Sequence, residues 1–155
     1  MIGPIIWFAE TFPAVEGVFR AEKSAVLQPV IGSGKNEVVY DNVVFDTFSP
    51  PSFVSDRFTV PSSINGSYVS FFAGNEITAA GVCLLTLQVS TDGGTVWADL
   101  AGQGIPSLAS YLTLASGPLL MNTGDIYRVV FETSGESRDI ENINRTFFSG
   151  YVSTL

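Results

Sequence analysis

One stretch constrains the fold more than any other: Asp56–Gly74, DRFTVPSSINGSYVSFFAG. Arg57–Val60 has the β-branched and aromatic content of a short strand. Pro61 ends it, because proline has no N–H to give to a sheet ladder. Asn65-Gly66 then supplies a turn, since both residues tolerate positive φ. An apolar strand starts at Tyr68. A chain that packs strand, stop, turn and strand into nineteen residues is built from short β elements. It has no room for an intervening helix.

The same grammar recurs along the chain. Predicted strands cover Val18–Val26, Glu37–Tyr40, Asn42–Thr47, Arg57–Val60, Tyr68–Ala73, Val82–Ser90, Val96–Leu100, Tyr111–Ala115, Leu119–Met121, Asp125–Thr133 and Thr146–Leu155. Turn residues separate them: Gly32–Asn36, Ser49-Pro50-Pro51-Ser52, Asp92-Gly93-Gly94, Gly102–Pro106, Gly117-Pro118 and Asn122-Thr123-Gly124. The polar run Ser134–Arg145 reads as a loop and Asn75–Gly81 as the one weak helical candidate. Strands at this spacing predict an all-β sandwich. In Val82–Ser90, Cys83, Leu85, Leu87 and Val89 alternate with Thr86, Gln88 and Ser90, so Cys83 is expected to face the core as an inert thiol. Tyr68–Ala73 is apolar on both parities, which predicts a strand covered on both faces.

At 155 residues the chain is one domain and can bury roughly 68–70% of its extended surface. Its hydrophobic fraction is 46% and its charged fraction 14%, more apolar than a lone soluble domain of this size requires. No apolar run approaches the ~20 residues of a spanning helix. A protein–protein surface is therefore expected to take up the excess. Net charge is −8 with seven scattered basic residues, which argues against direct nucleic-acid binding. There is no histidine, and the single cysteine permits no internal disulfide.

Residues 1–17 differ in kind. Ile2, Ile5, Ile6, Trp7, Phe8 and Phe12 crowd together without a helical or strand period and are broken by Pro4 and Pro13. With two acids and no basic start, the segment makes a poor signal peptide. It reads as an extended N-terminal arm lying on another subunit or protein, with the β domain occupying 18–155.

Several motifs, in order, resemble the globular-head family shared by complement and tumour necrosis factor (TNF). They are V-F-R-A (Val18–Ala21), Y-D-N-V-V-F-D-T (Tyr40–Thr47), R-F-T-V-P with G-S-Y, T-G-D-I-Y-R-V (Thr123–Val129) and F-S-G-Y-V (Phe148–Val152). The resemblance implies a ten-strand jelly-roll β-sandwich that assembles as a homotrimer. Physically, Gly66, Gly124 and Gly150 are expected at turns or close approaches, and Phe19, Phe45, Phe58 and Phe148 as core anchors. With no collagen-like stalk, no secretion signal and an apparent initiator Met, the resemblance points to the bacterial or bacteriophage proteins that use this jelly roll in virion coats and fibres. The expected function is then a non-enzymatic virion protein, a capsid decoration (cement) protein or fibre head assembled in the host cytoplasm. Its arm would bind the major capsid protein or another virion protein.

Other motifs carry less. Ser90–Trp97, STDGGTVW, is similar to the Asp-box of sialidases, a hairpin stabiliser remote from catalysis, here in one copy. Ser90 and Asp92 are expected to bond turn amides beneath Trp97. Gly32-Ser33-Gly34-Lys35 lacks the spacing of a phosphate loop. Glu132, Glu136, Asp139 and Glu141 gather around one loop, but their spacing matches no known cation site, and a solvated loop is the simpler reading. Nothing nominates a catalytic residue, metal or cofactor. The alternative is a recognition module binding a carbohydrate, such as a host surface glycan, or a receptor through Trp97 or Tyr111.

Overall fold

The computed structural model describes residues 15–24, 27–30, 34–77, 82–105, 111–135, 138–141 and 145–153. Residues 1–14 of the arm lie outside that set, as do Glu136 and the Gly32-Ser33 pair. Two sheets face each other. The first runs β10 (Tyr111–Ala115), β7 (Tyr68–Glu76), β14 (Phe147–Ser153), β1 (Val15–Glu22), β4 (Asn42–Asp46), with β11 (Leu119–Leu120) also on β7. The second runs β5 (Phe53–Val54), β6 (Arg57–Thr59), β12 (Ile126–Thr133), β8 (Cys83–Ser90), β9 (Ala98–Ile105), with β3 (Asn36–Glu37) on the far part of β12. A small ladder joins β2 (Gln28–Val30) to β13 (Arg138–Ile140). The ten strands of the two main paths make the jelly-roll sandwich that the resemblance implies.

An aromatic core holds the sheets together. Phe19 of the first sheet stacks on Phe58 of the second, centroids 4.7 Å apart, and Phe71 meets Tyr127 at 4.8 Å. Phe53 and Phe148 flank Phe19 at 5.3 and 5.2 Å. Burying such rings stabilises by roughly 1.5–3 kcal/mol each relative to exposure. Gly150 is there because nothing larger fits: a Cβ would sit 2.6 Å from Phe19 Cε1. Gly66 (φ +81°) and Gly124 (φ +89°) occupy turns that need the left-handed region. The Pro61–Ser67 turn, one turn of 3-10 helix over Ser62–Ile64, is pinned to the loop before β12. Gly66 N–H donates to Met121 O, Thr123 N–H to Asn65 Oδ1, and Val60 N–H to Asp125 O.

Cys83, Leu85 and Leu87 are buried in the core, in the predicted register. Other expectations shift. β1 opens at Val15, three residues earlier than read, because its end pairs with the end of β14. Asn75 and Glu76 continue β7 instead of starting a helix, since Leu112 and Tyr111 of β10 pair with them and Glu76 N–H donates to Thr146 Oγ1 on the other side. Gly102–Ile105 belongs to β9 and Arg138–Ile140 to β13, each recruited by a neighbouring strand that local sequence does not reveal. Glu37–Tyr40 shortens to β3 at Asn36–Glu37, and Phe53–Val54 forms a hairpin with β6 in place of part of a loop. That hairpin turns on Ser55 and Asp56 at φ +51° and +67°. It carries no glycine, so the usual turn signature was missing.

Candidate functional site: the outer faces of the two sheets

The two outer faces differ in chemistry. On the second sheet a polar ladder draws on five strands, β6, β3, β12, β8 and β9. Arg57 Nε and Nη2 donate to Glu37 Oε1 and Oε2 at 2.6 and 2.7 Å. Arg128 Nη1 donates to the same carboxylate at 2.9 Å and its Nε to Gln88 Oε1 at 2.9 Å. Gln88 Nε2 continues to Asp99 Oδ1 at 2.7 Å, where Lys35 Nζ also donates. Hydrogen bonds from Gln88 and Lys35 hold the Asp99 carboxyl below its ordinary range, and the bonds to Glu37 push the Arg57 guanidinium higher still. Arg128 lies 3.7 Å over the Trp97 ring, with Arg57 at 5.3 Å. Each charge on this ladder has an opposite partner, with Lys35 and Asp99 at its exposed end and Gln88 buried at its centre.

Trp97 belongs to the hairpin between β8 and β9. Ser90 Oγ donates to Asp92 Oδ1 and accepts from Gly94 N–H. The Asp92 carboxylate accepts from Thr95 and Val96 N–H, and Trp97 Nε1 donates to Gly94 O. Bonds from Val96 first, then Ser90, hold the Asp92 carboxyl below its usual range. The Asp-box reading of a local hairpin brace is met residue for residue. Trp97 is thereby committed to its own turn and to two guanidiniums. Tyr111 lies across Gly74, where a Cβ would stand 2.5 Å from its hydroxyl, with Arg145 6.0 Å from its ring. Neither ring stands free as a binding platform.

The outer face of the first sheet is apolar at its centre. Register aligns Phe45, Arg20, Ser149, Phe72 and Ala115 in one cross-strand row. The next row carries Val18, Tyr151 and Ser70, and Leu120 pairs with Tyr68 beyond it. Phe72 and Tyr151 stack at 5.9 Å and 18°, yet remain 39% and 43% exposed. Leu120 is 51% exposed. Within one chain β7 is covered on one face: Val69, Phe71 and Ala73 face the core, while Phe72 stands on the outer face. Phe45 is likewise no core anchor, because it pairs with outward-facing Arg20 at the end of the sheet. Along the strands, towards the end where Glu22, Phe147 and Gly74 lie in one row, the face turns charged. Arg20 pairs with Glu22 at 2.7 Å and lies 4.3 Å over the Phe147 ring, and Arg145 stands 3.9 Å from Glu76.

Among the described residues no group of three or more acidic, cysteine or histidine side chains is placed to hold a metal. Glu132, Asp139 and Glu141 are not gathered into such a group. No helix is long and apolar enough to cross a membrane, among the described residues.

The fold and these faces define a TNF- and complement-type jelly roll. Among solved structures, the chain is similar to Eiger TNF from S. frugiperda with a TM-score of 0.61 at 14% identity, covering 92% of this chain and 94% of that one. Murine APRIL gives 0.57 at 13% identity over 88% and 98%, and the globular domain of zebrafish complement 1qA 0.52 at 14% over 90% and 96%. At such identities the likeness shows the fold. No family model and no curated protein sequence matches the chain.

Proposed function

We propose that the chain is a non-enzymatic structural protein of a bacteriophage particle, a homotrimeric jelly-roll decoration (cement) protein or fibre head. One observation carries the assembly: the stacked but exposed Phe72–Tyr151 pair at the centre of an apolar sheet face. A contiguous patch with aromatic anchors and a charged rim has the anatomy of a protein–protein interface. The opposite face, with its paired charge ladder, suits the solvent side. Threefold packing of the apolar faces answers the excess of hydrophobic residues, and the similar TNF and complement folds favour it. The arm attaches the trimer to the particle, the major capsid protein being the natural platform. Three arms on one platform act multivalently, so modest single contacts suffice.

Sedimentation is expected to give a mass near three times 16.6 kDa. A stable monomer at micromolar concentration refutes the trimer. Because Val15 opens the sheet, the arm is removed by deleting residues 1–14. The shortened chain is expected to remain a folded trimer and to lose attachment to purified particles. Normal attachment refutes the anchoring role.

A further inference from the structure

The free edge of the first sheet raises a question that the trimer face does not answer. β4 ends that sheet, with β1 on one side and no strand beyond it among the described residues. Its residues Val43, Val44 and Phe45 are 47%, 48% and 42% exposed. Edge strands are ordinarily blunted by charge, proline, a bulge or brevity, because an open apolar edge recruits another strand. The two edges of the second sheet follow that rule, and on β10, the other edge of the first sheet, Leu112 and Leu114 are buried. β5 has two residues, and β9 carries Gly102, Gly104 and the Asp99–Lys35 pair. β4 has a bulge at Val44 and little else. Asn42 is neutral, and the Asp46 carboxylate is turned inward to accept from the Phe48, Ser52 and Phe53 amides.

The same chain holds a segment that needs such an edge. Ile5-Ile6-Trp7-Phe8 is a run of strongly β-prone residues behind Pro4, about the length of β4, in the fourteen residues that precede β1. We infer that the free edge of β4 accepts Ile5–Phe8 of a second copy of this chain as an added strand. This deepens the arm reading above by naming a partner for its apolar run. Main-chain bonds to the β4 edge would supply affinity, and Val43 and Phe45, which the bulge places on opposite faces of the sheet, would each meet a side chain on one face of the incoming strand.

A second copy is the better donor than the same chain. The segment of the same chain leaves from the start of β1, beside the end of β4. It would have to cross the Thr47–Ser52 loop and arrive parallel to β4. That loop is fixed: Thr47 N–H and Oγ1 both donate to Val18 O, Val18 N–H donates back to Thr47 Oγ1, and Asp46 holds Ser52. A neighbour's arm meets neither obstacle and can pair antiparallel, the slightly stronger ladder.

The test uses full-length chains carrying one added thiol each, with buried Cys83 retained. Chains with Ile6→Cys, and in parallel Ile5→Cys or Trp7→Cys to sample register, are co-expressed with Val43→Cys or Val44→Cys chains and oxidised. A linked species near twice 16.6 kDa is expected, at least tenfold more abundant than with a Leu100→Cys control on β9. Linkage no greater than the control in every register overturns the inference. So does a double variant that closes its disulfide within one chain at dilution. Amide exchange gives an independent reading. Deleting residues 1–14 should speed exchange at Val43–Phe45 at least tenfold while β7 and β14 stay protected, and unchanged exchange at β4 counts against the added strand. If the shortened chain fails to fold, the cross-link on full-length protein decides. An arm-deleted trimer that loses its particle, with no β4 cross-link in the full chain, sinks this inference and leaves the anchoring role intact. Cross-linking together with normal attachment of the shortened chain does the reverse.

Discussion

At the scale of single residues, Asp56 combines a turn, a hydrogen bond and a half-buried charge. It sits at φ +67°, accepts from Tyr40 N–H at 2.6 Å, and its carboxyl is pushed above the ordinary range by burial, with Glu37 and Asp41 adding to it. A raised folded value means that the fold gains relative stability as pH falls through it and loses that gain at neutral pH. Asp56→Asn keeps the acceptor and tolerates the left-handed backbone. The variant is expected to melt slightly above the parent at pH 7, by less than about 1 kcal/mol because the site is half open to solvent. That advantage should shrink as the pH is lowered through the Asp56 value. A melting series from pH 7 to pH 4 reads it directly, and a gap that widens towards acid contradicts the assignment. None of this was visible locally: a Ser-Asp pair looks like ordinary loop until β5 and β6 pair around it.

At the scale of elements, the β8–β9 hairpin was the most legible piece of the chain. Its bracing side chains lie within eight residues, Ser90 to Trp97, so spacing alone dictates which amides they reach. Asp92→Ala is expected to speed amide exchange at Thr95 and Val96, whose N–H groups it accepts, while β8 beyond Leu87 stays protected. Since the Asp92 carboxyl is held below its usual range, the brace is complete at neutral pH. It should be lost only as pH falls through that lowered value. Unaltered exchange in the variant would show that the turn is held by Ser90 and Trp97 alone. The charge ladder is the opposite case. Glu37 meets Arg57 across twenty residues and Arg128 across ninety-one, so no window of sequence contains the site.

At the scale of the whole molecule, the open question is which face meets a neighbour. Replacing both Phe72 and Tyr151 by Arg should leave the monomer fold intact, because both side chains stand outside the sandwich core. The pair should shift the sedimenting species from about three times 16.6 kDa towards 16.6 kDa. Arg128→Gln on the opposite face should leave the mass unchanged. A trimer that survives the double replacement would move the interface to another surface.

By itself the sequence determined the all-β class, the turn positions, the Cys83 register and the aromatic core. These follow from short-range chemistry: two-residue periodicity, proline stops, glycine turns and large apolar side chains that must leave water. It could not decide which apolar parity faces inward on β7, nor that Phe45 stands outside. Both of its faces read as hydrophobic, and the choice between them is made by the second sheet, which can cover only one. The tertiary structure alone settled that Val69 and Phe71 are core while Phe72 is surface, because Phe58 and Tyr127 pack against the side of β7 that carries Phe71.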